Sequence, residues 1–244
     1  MIIVADAHIS KASGNFASFF KMLEIIGDSE HDIIFMGDIF DLWIALPQYE
    51  KEIHHQFMEW CHNQKNHRNI GFIEGNHEFF LTEERHAYFT WCSPHQWILG
   101  DHDILFVHGD LINDRDSGYL LLRKLTKNQV VKFILRHLPF GPRITARVKR
   151  MLAKRNSSDG KYMPEDKIRK FADTHFANGI QTIFVGHFHQ KYHYRKPGLG
   201  QLYILPDWYS THQVSIFEPH SGNITSLLWE QLSLQPSRGQ RGTT

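Results

Sequence analysis

Residues 35–43 read FMGDIFDLW, in which two carboxylates follow the end of an apolar run. The run at residues 33–36 is short and rich in β-branched and aromatic side chains, a pattern that predicts a buried strand. Asp38 and Asp41 come directly after it. A carboxylate at the end of a core strand is costly to bury unless a positive partner compensates for its charge. Because no run of Lys or Arg stands beside Asp38, a metal ion is the partner to consider.

The bulk composition limits the class of protein. The 244 residues are 41% hydrophobic and 13% aromatic, enough for a sizeable core in one large domain or two small ones. A formal charge of +1 argues against a generic nucleic-acid-binding protein, which would be clearly basic. Histidine is the unusual count, at 18. Neutral imidazole is the commonest metal ligand, so the positions of these histidines carry information.

The two cysteines and the start of the chain bear on the compartment. Cys61 and Cys92 form no C-x-x-C pattern, which fits a reducing environment. The chain opens on a strand-like run and lacks the basic start and small-residue cleavage site of a secretory signal. No run reaches the roughly 18 apolar residues of a membrane span. We therefore expect a soluble, cytoplasmic protein.

Short apolar runs alternate with helix-like segments along most of the chain. Five runs predict buried strands, at residues 2–5, 33–36, 70–73, 104–107 and 182–185. Helices are predicted at residues 17–26 and 50–63, and the alternation indicates an α/β core. Four later runs predict an antiparallel meander, at residues 191–195, 201–205, 213–217 and 224–229. The polar tail at residues 236–244 is expected to be disordered.

The segment at residues 119–155 is strongly basic and contains no Asp or Glu. Apolar side chains recur in it at helical spacing, namely Leu121, Leu122, Leu125, Phe133, Ile134 and Leu138. The prolines at 139 and 142 predict a division into two helices. One interpretation is a solvated basic helical pair, and the other is an amphipathic cap that faces an anionic substrate or a membrane surface. Nucleic acid is disfavoured, because few aromatic side chains are interleaved for stacking on bases.

Each of the five predicted core strands ends in Asp, Asn or His, usually next to Gly. The side chains concerned are Asp6, His8, Asp38, Asn76, His108, His187 and His189. Sites in open α/β sheets form beyond the carboxyl ends of the strands, so these side chains are expected to converge. Seven oxygen and nitrogen donors are too many for one tetrahedral zinc ion. They suit two ions that share a bridging carboxylate, and the absence of sulfur favours harder metals.

The ordered set D-x-H, G-D, G-N-H-E, H-G and G-H-x-H resembles the calcineurin-like metallophosphoesterase superfamily, from residue 6 to residue 189. The resemblance implies an α/β protein in which helices flank a β-sandwich and two divalent ions (Mn²⁺ first, with Fe or Zn as alternatives) form the centre. One ion would take Asp6, His8, Asp38 and His189. The other would take Asp38, Asn76, His108 and His187, so that Asp38 bridges. His77 would act on the substrate, and Asp41 would orient a neighbour or be exposed.

A second set of motifs resembles one family within that superfamily, the UDP-2,3-diacylglucosamine diphosphatases. The motifs are GDIFDLW, HGD, Asp116 eight residues after His108, SGY at residues 117–119 and the helical insert before GHFH. The resemblance implies hydrolysis of a pyrophosphate in lipid A synthesis, giving UMP and 2,3-diacylglucosamine 1-phosphate. It also implies one domain over residues 1–235, with a helical cap at about 119–160 that holds the acyl chains.

Further implications of this resemblance concern the partners. Asp116 and Asn156 would contact the sugar, and Asn76 and His187 would also contact the substrate. The protein would touch the anionic inner-membrane surface peripherally. The chain departs from the best-known branch of that family, which has Arg-Asp where this chain has His77 and Glu78, and Lys where it has Asp159. The departures bear on the substrate rather than on the chemistry.

Two alternatives remain at this point. One is a metallophosphoesterase of broader specificity that acts on nucleotides or other phosphate esters, which would share the metal site without needing an apolar cap. The other is a metal-free scaffold that keeps the fold only to bind proteins. A scaffold is expected to have lost metal ligands, whereas all seven positions are filled here.

Overall fold

Two β-sheets stack face to face in this computed structural model, which describes residues 1–10, 13–100, 103–113, 117–145 and 163–234. The strands of the first sheet are β1 (Ile2–Val4), β2 (Ile33–Phe35), β4 (Ile70–Ile73), β6 (Trp91–Ser93), β12 (Gln213–Glu218) and β13 (Asn223–Leu228). Their order is β13-β12-β1-β2-β4-β6, with β1, β2, β4 and β6 parallel.

The second sheet has five strands, with two parallel pairings at its centre. They are β7 (Gln96–Leu99), β8 (Ile104–Val107), β9 (Thr182–Val185), β10 (Tyr192–Lys196) and β11 (Gly200–Ile204). Their order is β10-β11-β9-β8-β7, in which β9 runs parallel to both β8 and β11. A short parallel pair, β3 (Trp43–Ile44) and β5 (Glu78–Phe79), lies apart from both sheets.

Helices cover the outer faces of both sheets. The longer ones are α1 (Phe16–Gly27), α2 (Glu52–Gln64), α4 (Ser117–Thr126), α5 (Gln129–His137) and α6 (Glu165–Ala177). The short ones are α3 (Leu81–Arg85) and α7 (Trp208–Thr211), and residues 141–145 are helical as well. None of the described helices combines the length and the apolar character that crossing a bilayer requires.

The central strands are apolar on both faces because both faces are covered. In β1, Ile2 and Val4 pack with the helices α1 and α2, whereas Ile3 points between the two sheets. Phe106 of β8 and Phe184 of β9 stack at 5.5 Å in that inner layer. Strands buried on both faces read as continuous apolar runs, which is why they stand out in the sequence.

The α/β class and the sandwich flanked by helices are confirmed, and so are the five core strands. The predicted meander is wrong. β10 and β11 form a hairpin in the second sheet, whereas β12 and β13 form another in the first. The chain changes sheets at α7, where Trp208 is fully buried and its backbone N–H donates to the carbonyl of Ala5. These contacts hold α7 against β1, so the chain leaves the second sheet after β11 and enters the first sheet at β12.

The basic segment divides earlier than its prolines predict. α4 and α5 both precede Pro139, and the chain breaks between them at Lys127 and Asn128. The side chain of Asn128 caps α5 by accepting a hydrogen bond from the backbone of Val131 at 3.0 Å. Asn is a strong N-cap residue, so the new helix begins there. The predicted cap beyond residue 145, and the tail at residues 236–244, lie outside the described residues.

Candidate metal centre

All seven expected donor side chains lie in one cluster at the carboxyl ends of five strands. Asp6 and His8 follow β1, Asp38 follows β2, and Asn76 follows β4. His108 follows β8, and His187 and His189 follow β9. The acids are fully buried, whereas the imidazoles of His8 and His189 are partly exposed. The cluster is therefore closed by protein on one side and open to solvent on the other.

The first group of donors consists of Asp6, His8 and His189. Nε2 of His8 lies 3.2 Å from Nε2 of His189, and the latter lies 3.5 Å from Oδ1 of Asp6. Three potential ligand atoms thus face a common point, all within 4.8 Å of one another. A cation at that point would be attracted to all three side chains at once.

The second group consists of Asp38, His108 and His187, with Asn76 beside it. Ligand atoms of the first three residues also lie within 4.8 Å of one another. Oδ1 of Asn76 lies 3.2 Å from Nε2 of His108. Nδ1 of His108 lies 2.8 Å from the backbone carbonyl of Met36, a contact that fixes the ring and turns Nε2 into the cluster.

Asp38 lies between the two groups. Its Oδ2 is 3.6 Å from Nε2 of His108 and 3.9 Å from Nε2 of His8. Its Oδ1 already accepts a hydrogen bond from the backbone of His77 at 2.9 Å. In the same way, Oδ2 of Asp6 accepts one from the backbone of His187 at 2.7 Å. Each acid therefore has one oxygen committed and one directed at imidazole nitrogens.

The uncommitted oxygens test whether metal ions fit. Oδ1 of Asp6 and Oδ2 of Asp38 are buried and have no hydrogen-bond partner among the described residues. Buried carboxylate oxygens are normally hydrogen-bonded or paired with a cation. Carboxylate oxygens, imidazole nitrogens and an amide oxygen are ligands that suit Mn, Fe and Zn. The donor set therefore fits two divalent cations.

The backbone at the cluster is locally strained. Positive φ angles, between 43° and 69°, occur at five of the seven donors, namely Asp6, His8, Asp38, His187 and His189. Residues with a Cβ adopt this left-handed region at a cost, and such residues concentrate at functional sites. Here these turns direct two side chains of one loop, such as Asp6 and His8, toward the same cluster.

When no metal is bound, charges within the cluster shift the pKa values of its acidic and histidine side chains. Burial alone would raise the pKa of Asp38, but the charges of His77, His108 and His8 hold it well below its usual range. Burial alone would lower the pKa of His108, but Asp38 and Asp6 raise it to about 10. A proton on His108 thus balances some of the acidic charge, and a metal ion would have to displace it.

His77 stands at the solvent side of the cluster. Its Nδ1 lies 2.6 Å from the backbone carbonyl of Asp41, and its Nε2 lies 3.8 Å from Oδ2 of Asp38. The contact with Asp41 orients the ring, and a third of the side chain is exposed. Asp41 thus orients a neighbour as expected, but it does so through its backbone carbonyl.

Glu78 supports the site and was missed as a functional residue. It is fully buried, and its two oxygens accept hydrogen bonds from the backbones of Asp38, Ile39 and Gly75 at 2.8–2.9 Å. Burial and the charge of Asp38 raise its pKa to about 7. The signal that would have found it is its place in G-N-H-E, directly after two site residues.

Helices α4 and α5, which lie in the segment predicted to form the cap, attach to the body through charged side chains. Arg123 of α4 pairs with Asp110, and Lys132 of α5 pairs with Glu83 and Glu84. Their large apolar side chains are instead exposed, with Leu121 at 57% and Phe133 at 66%. The cap is therefore not simply a solvated basic pair, because its cationic face meets the body. Asp116 and Asn156 lie outside the described residues.

Comparison with known proteins gives the following similarities. The family model described as calcineurin-like phosphoesterase matches residues 1–191. A UDP-2,3-diacylglucosamine hydrolase from Pseudomonas putida is 24% identical over 230 residues, which cover 85% of this chain and 90% of that protein. One from Azotobacter vinelandii is 26% identical, covering 78% and 81%. A dimetal phosphatase structure from Danio rerio is 10% identical, with a TM-score of 0.37, covering 92% and 90%.

Proposed function

Because the chain belongs to the calcineurin-like phosphoesterase family, we propose that it cleaves the pyrophosphate of UDP-2,3-diacylglucosamine to give UMP and 2,3-diacylglucosamine 1-phosphate. Family membership makes it a metal-dependent phosphoesterase or pyrophosphate hydrolase. The choice of substrate draws on the relatives, which carry the name UDP-2,3-diacylglucosamine hydrolase at 24–26% identity. It draws also on one feature of the structure, the apolar face of the cap.

That apolar face is the observation that carries the proposal. Six large apolar side chains of α4 and α5 are more than half exposed, namely Leu121, Leu122, Leu125, Val130, Phe133 and Ile134. Arg123 of α4 and Lys127, directly after it, also contact the loops of the metal centre, at Asp110 and Gly75. A water-soluble nucleotide or phosphoprotein would gain nothing from apolar surface there, whereas an acylated sugar would.

The same face supports peripheral contact with the inner-membrane surface. A diacylated substrate resides in a bilayer, so its hydrolase has to meet that surface. Exposed Leu and Phe next to basic side chains are typical of helices that lie in a membrane interface. Basic residues continue along the insert, at Arg143 and, outside the described residues, at Arg147, Lys149 and Arg150.

We propose that the seven donors hold two divalent ions, with manganese as the native metal. One ion would be held by Asp6, His8, Asp38 and His189, and the other by Asp38, Asn76, His108 and His187. Bound there, the ions would supply a water of lowered pKa as nucleophile and positive charge beside the phosphate oxygens. The uncommitted oxygens of Asp6 and Asp38 support this assignment, because that of Asp6 faces His189 of the first group and that of Asp38 faces imidazoles of both groups.

We propose that His77 acts directly on the substrate. Its Nδ1 contacts the carbonyl of Asp41, so Nε2 is the nitrogen that faces the opening of the cluster. When protonated, Nε2 would donate to a phosphate oxygen and stabilise the charge of the transition state. Water adds to one phosphorus of the pyrophosphate and the other half leaves as a phosphate, which needs little protonation, so charge stabilisation is the main role. Asn76 and His187 would contact the substrate from the second group, and Asp116 and Asn156 would contact the sugar.

The proposal is tested by turnover. Wild-type protein is incubated with UDP-2,3-diacylglucosamine, with and without Mn²⁺, and UMP release is measured beside Asp38→Ala. We expect Mn²⁺-dependent release that falls by about a thousandfold in the variant, since several kcal/mol of charge stabilisation is lost. Asp28→Ala, an exposed acid at the end of α1, is the matched control and should retain full activity.

An aryl phosphate in the same assay separates the two enzyme candidates. Hydrolysis of the aryl phosphate with the acylated UDP-sugar left intact would overturn the proposed substrate and favour a broader phosphoesterase. Protein that retains no metal and hydrolyses neither compound would instead favour a scaffold.

A further inference from the structure

Two cations of the cap lie on one side of α4 and face the body. Arg123 and Lys127 are four residues apart, and Lys127, directly after α4, keeps the spacing of its last turn because its backbone N–H donates to the carbonyl of Arg123 at 2.8 Å. Residues at this spacing project from the same face of a helix. The neighbouring Lys124 is exposed on the other side. Arg123 and Lys127 therefore face the body, whereas Lys124 faces solvent.

Lys127 holds the loop that follows β4. Its Nζ donates a hydrogen bond of 2.6 Å to the backbone carbonyl of Gly75. The N–H of the same glycine donates to Oε2 of Glu78 at 2.8 Å. Both polar backbone groups of Gly75 are thus held, one by the loop itself and one by the cap.

Gly75 occupies a narrow space inside the centre. A Cβ at this position would lie 2.6 Å from the backbone nitrogen of Asp38 and 2.8 Å from Cε1 of His108. The backbone therefore passes directly between two expected metal ligands. Asn76 comes next, with its Oδ1 3.2 Å from Nε2 of His108. A shift of Gly75 would move Asn76 relative to His108.

Arg123 holds the other loop of the same half of the centre. Its Nη1 pairs with Oδ2 of Asp110, two residues after His108, and its Nη2 donates to the carbonyl of Pro94 at 3.3 Å. Both side chains of the ion pair are buried. α4 therefore contacts the loops that carry Asn76 and His108, one cation to each.

A cation close to a dication site would ordinarily weaken metal binding by repulsion. Burial and the charge of Arg123 lower the pKa of Lys127, and the carboxylates of Glu74, Asp110 and Glu78 oppose that shift. The hydrogen bond to Gly75 is the contact through which Lys127 acts on the centre.

We infer that Arg123 and Lys127 are positioning residues for one of the two metal positions, the one served by Asn76 and His108. The inference rests on the proposed metal centre and adds that the cap is part of it. The contacts that Arg123 and Lys127 make with the centre, at Asp110 and Gly75, both lie on the side of His108 and Asn76. Loosening α4 should therefore weaken one binding step and spare the other.

The test is a calorimetric titration of metal-free full-length protein with Mn²⁺. Wild type is expected to bind two ions, and Lys127→Met is expected to bind one of them about 10–100-fold more weakly, as is usual when support of a ligand is lost. Asn76→Ala identifies the affected step. Adding Lys127→Met to Asn76→Ala should then weaken that step no further, because both changes act on the same ligand.

Three variants separate positioning from general loosening of the cap. Lys124→Met removes an exposed cation of the same helix and should leave both steps unchanged. Lys132→Met breaks the ion pairs of α5 with Glu83 and Glu84 and should also spare both steps. Lys127→Arg retains a donor and should restore most of the lost affinity. Thermal unfolding, followed by circular dichroism, accompanies each variant.

The outcomes distinguish this inference from the proposed function. Wild type that binds fewer than two Mn²⁺ ions would overturn the proposed centre itself. Two wild-type steps that are unchanged in Lys127→Met, or that weaken equally, would overturn the positioning role alone. If Lys127→Met fails to fold, Arg123→Lys takes its place, since Lys keeps a positive charge but has one nitrogen where Arg123 uses two, Nη1 for Asp110 and Nη2 for the carbonyl of Pro94.

Discussion

Glu78 is a single side chain on which two loops of the centre depend. Its two oxygens serve three backbone donors, those of Asp38, Ile39 and Gly75. In Glu78→Gln only one oxygen remains, so at least one buried N–H loses its acceptor. We expect the free energy of unfolding, measured in urea on metal-free protein, to fall by about 1–3 kcal/mol.

The matched control for Glu78 is Glu59→Gln, which makes the same change on the exposed face of α2. It should alter the free energy of unfolding by less than about 0.5 kcal/mol. If Glu78→Gln were as stable as Glu59→Gln, the three hydrogen bonds would not be anchoring the loops.

At the scale of residues the sequence predicted donors better than their supports. Asp6, Asp38 and His108 could be found because each follows an apolar run, and such runs end at one edge of a sheet. Glu78 and Lys127 could not be found in the same way. Both contact backbone groups, among them those of Gly75, so no complementary side chain points to them. For Glu78 the only signal was its place in G-N-H-E.

At the scale of elements, the start of α2 contains a buried histidine that should make the fold sensitive to acid. His54 is 3% exposed, stacks on Trp43, and accepts a hydrogen bond at Nδ1 from the backbone of Lys51 at 3.0 Å. Burial lowers its pKa from 6.5 to about 4. The folded protein therefore holds this ring neutral at pH values where the unfolded chain would protonate it.

The direction of the pH effect follows from that difference. Between pH 6.5 and 4 the unfolded state binds the proton more readily, so stability falls by about 1.4 kcal/mol per pH unit as the pH is lowered. In His54→Gln this contribution disappears. Lowering the pH from 6.5 to 5 should therefore reduce the free energy of unfolding, measured in urea, by about 2 kcal/mol less in the variant than in wild type. The exposed neighbour His55→Gln should retain the wild-type slope. Equal slopes for wild type and His54→Gln would contradict the prediction.

Elements were predicted wrongly where they are too short to show a pattern, or where a tertiary contact decides their position. β3 and β5 have two residues each, too few to show a period. The prolines at 139 and 142 predicted the break too late, because α5 begins after Asn128, whose side chain caps it. The hairpins after residue 191 were recognised as strands, whereas their assignment to different sheets depends on the burial of Trp208, a tertiary contact.

At the scale of the whole molecule, the insert inverts the usual arrangement of an amphipathic helix. Its periodicity predicted an apolar stripe, and such a stripe ordinarily faces the core. Here the cations face the body, because acids such as Asp110 and Glu84 stand opposite them. Leu121, Leu122 and Leu125 are left exposed, whereas Leu135 packs partly against the body. Sequence periodicity defines the two faces of a helix but does not say which face meets the protein.

The exposed apolar face of α4 and α5 leads to a prediction about the proposed contact with a membrane surface. Leu121→Ser combined with Leu125→Ser removes apolar surface that is 57% exposed at each position, so the fold should tolerate the change. Each leucine that inserts into lipid contributes about 1.5–3 kcal/mol, so co-sedimentation with anionic vesicles should weaken by at least about tenfold. Turnover of a soluble aryl phosphate should not change, because the metal centre is intact.

Leu199→Ser, at an exposed turn between β10 and β11, is the matched control and should bind vesicles as wild type does. Unchanged vesicle binding in the double variant would show that the membrane is met by another surface.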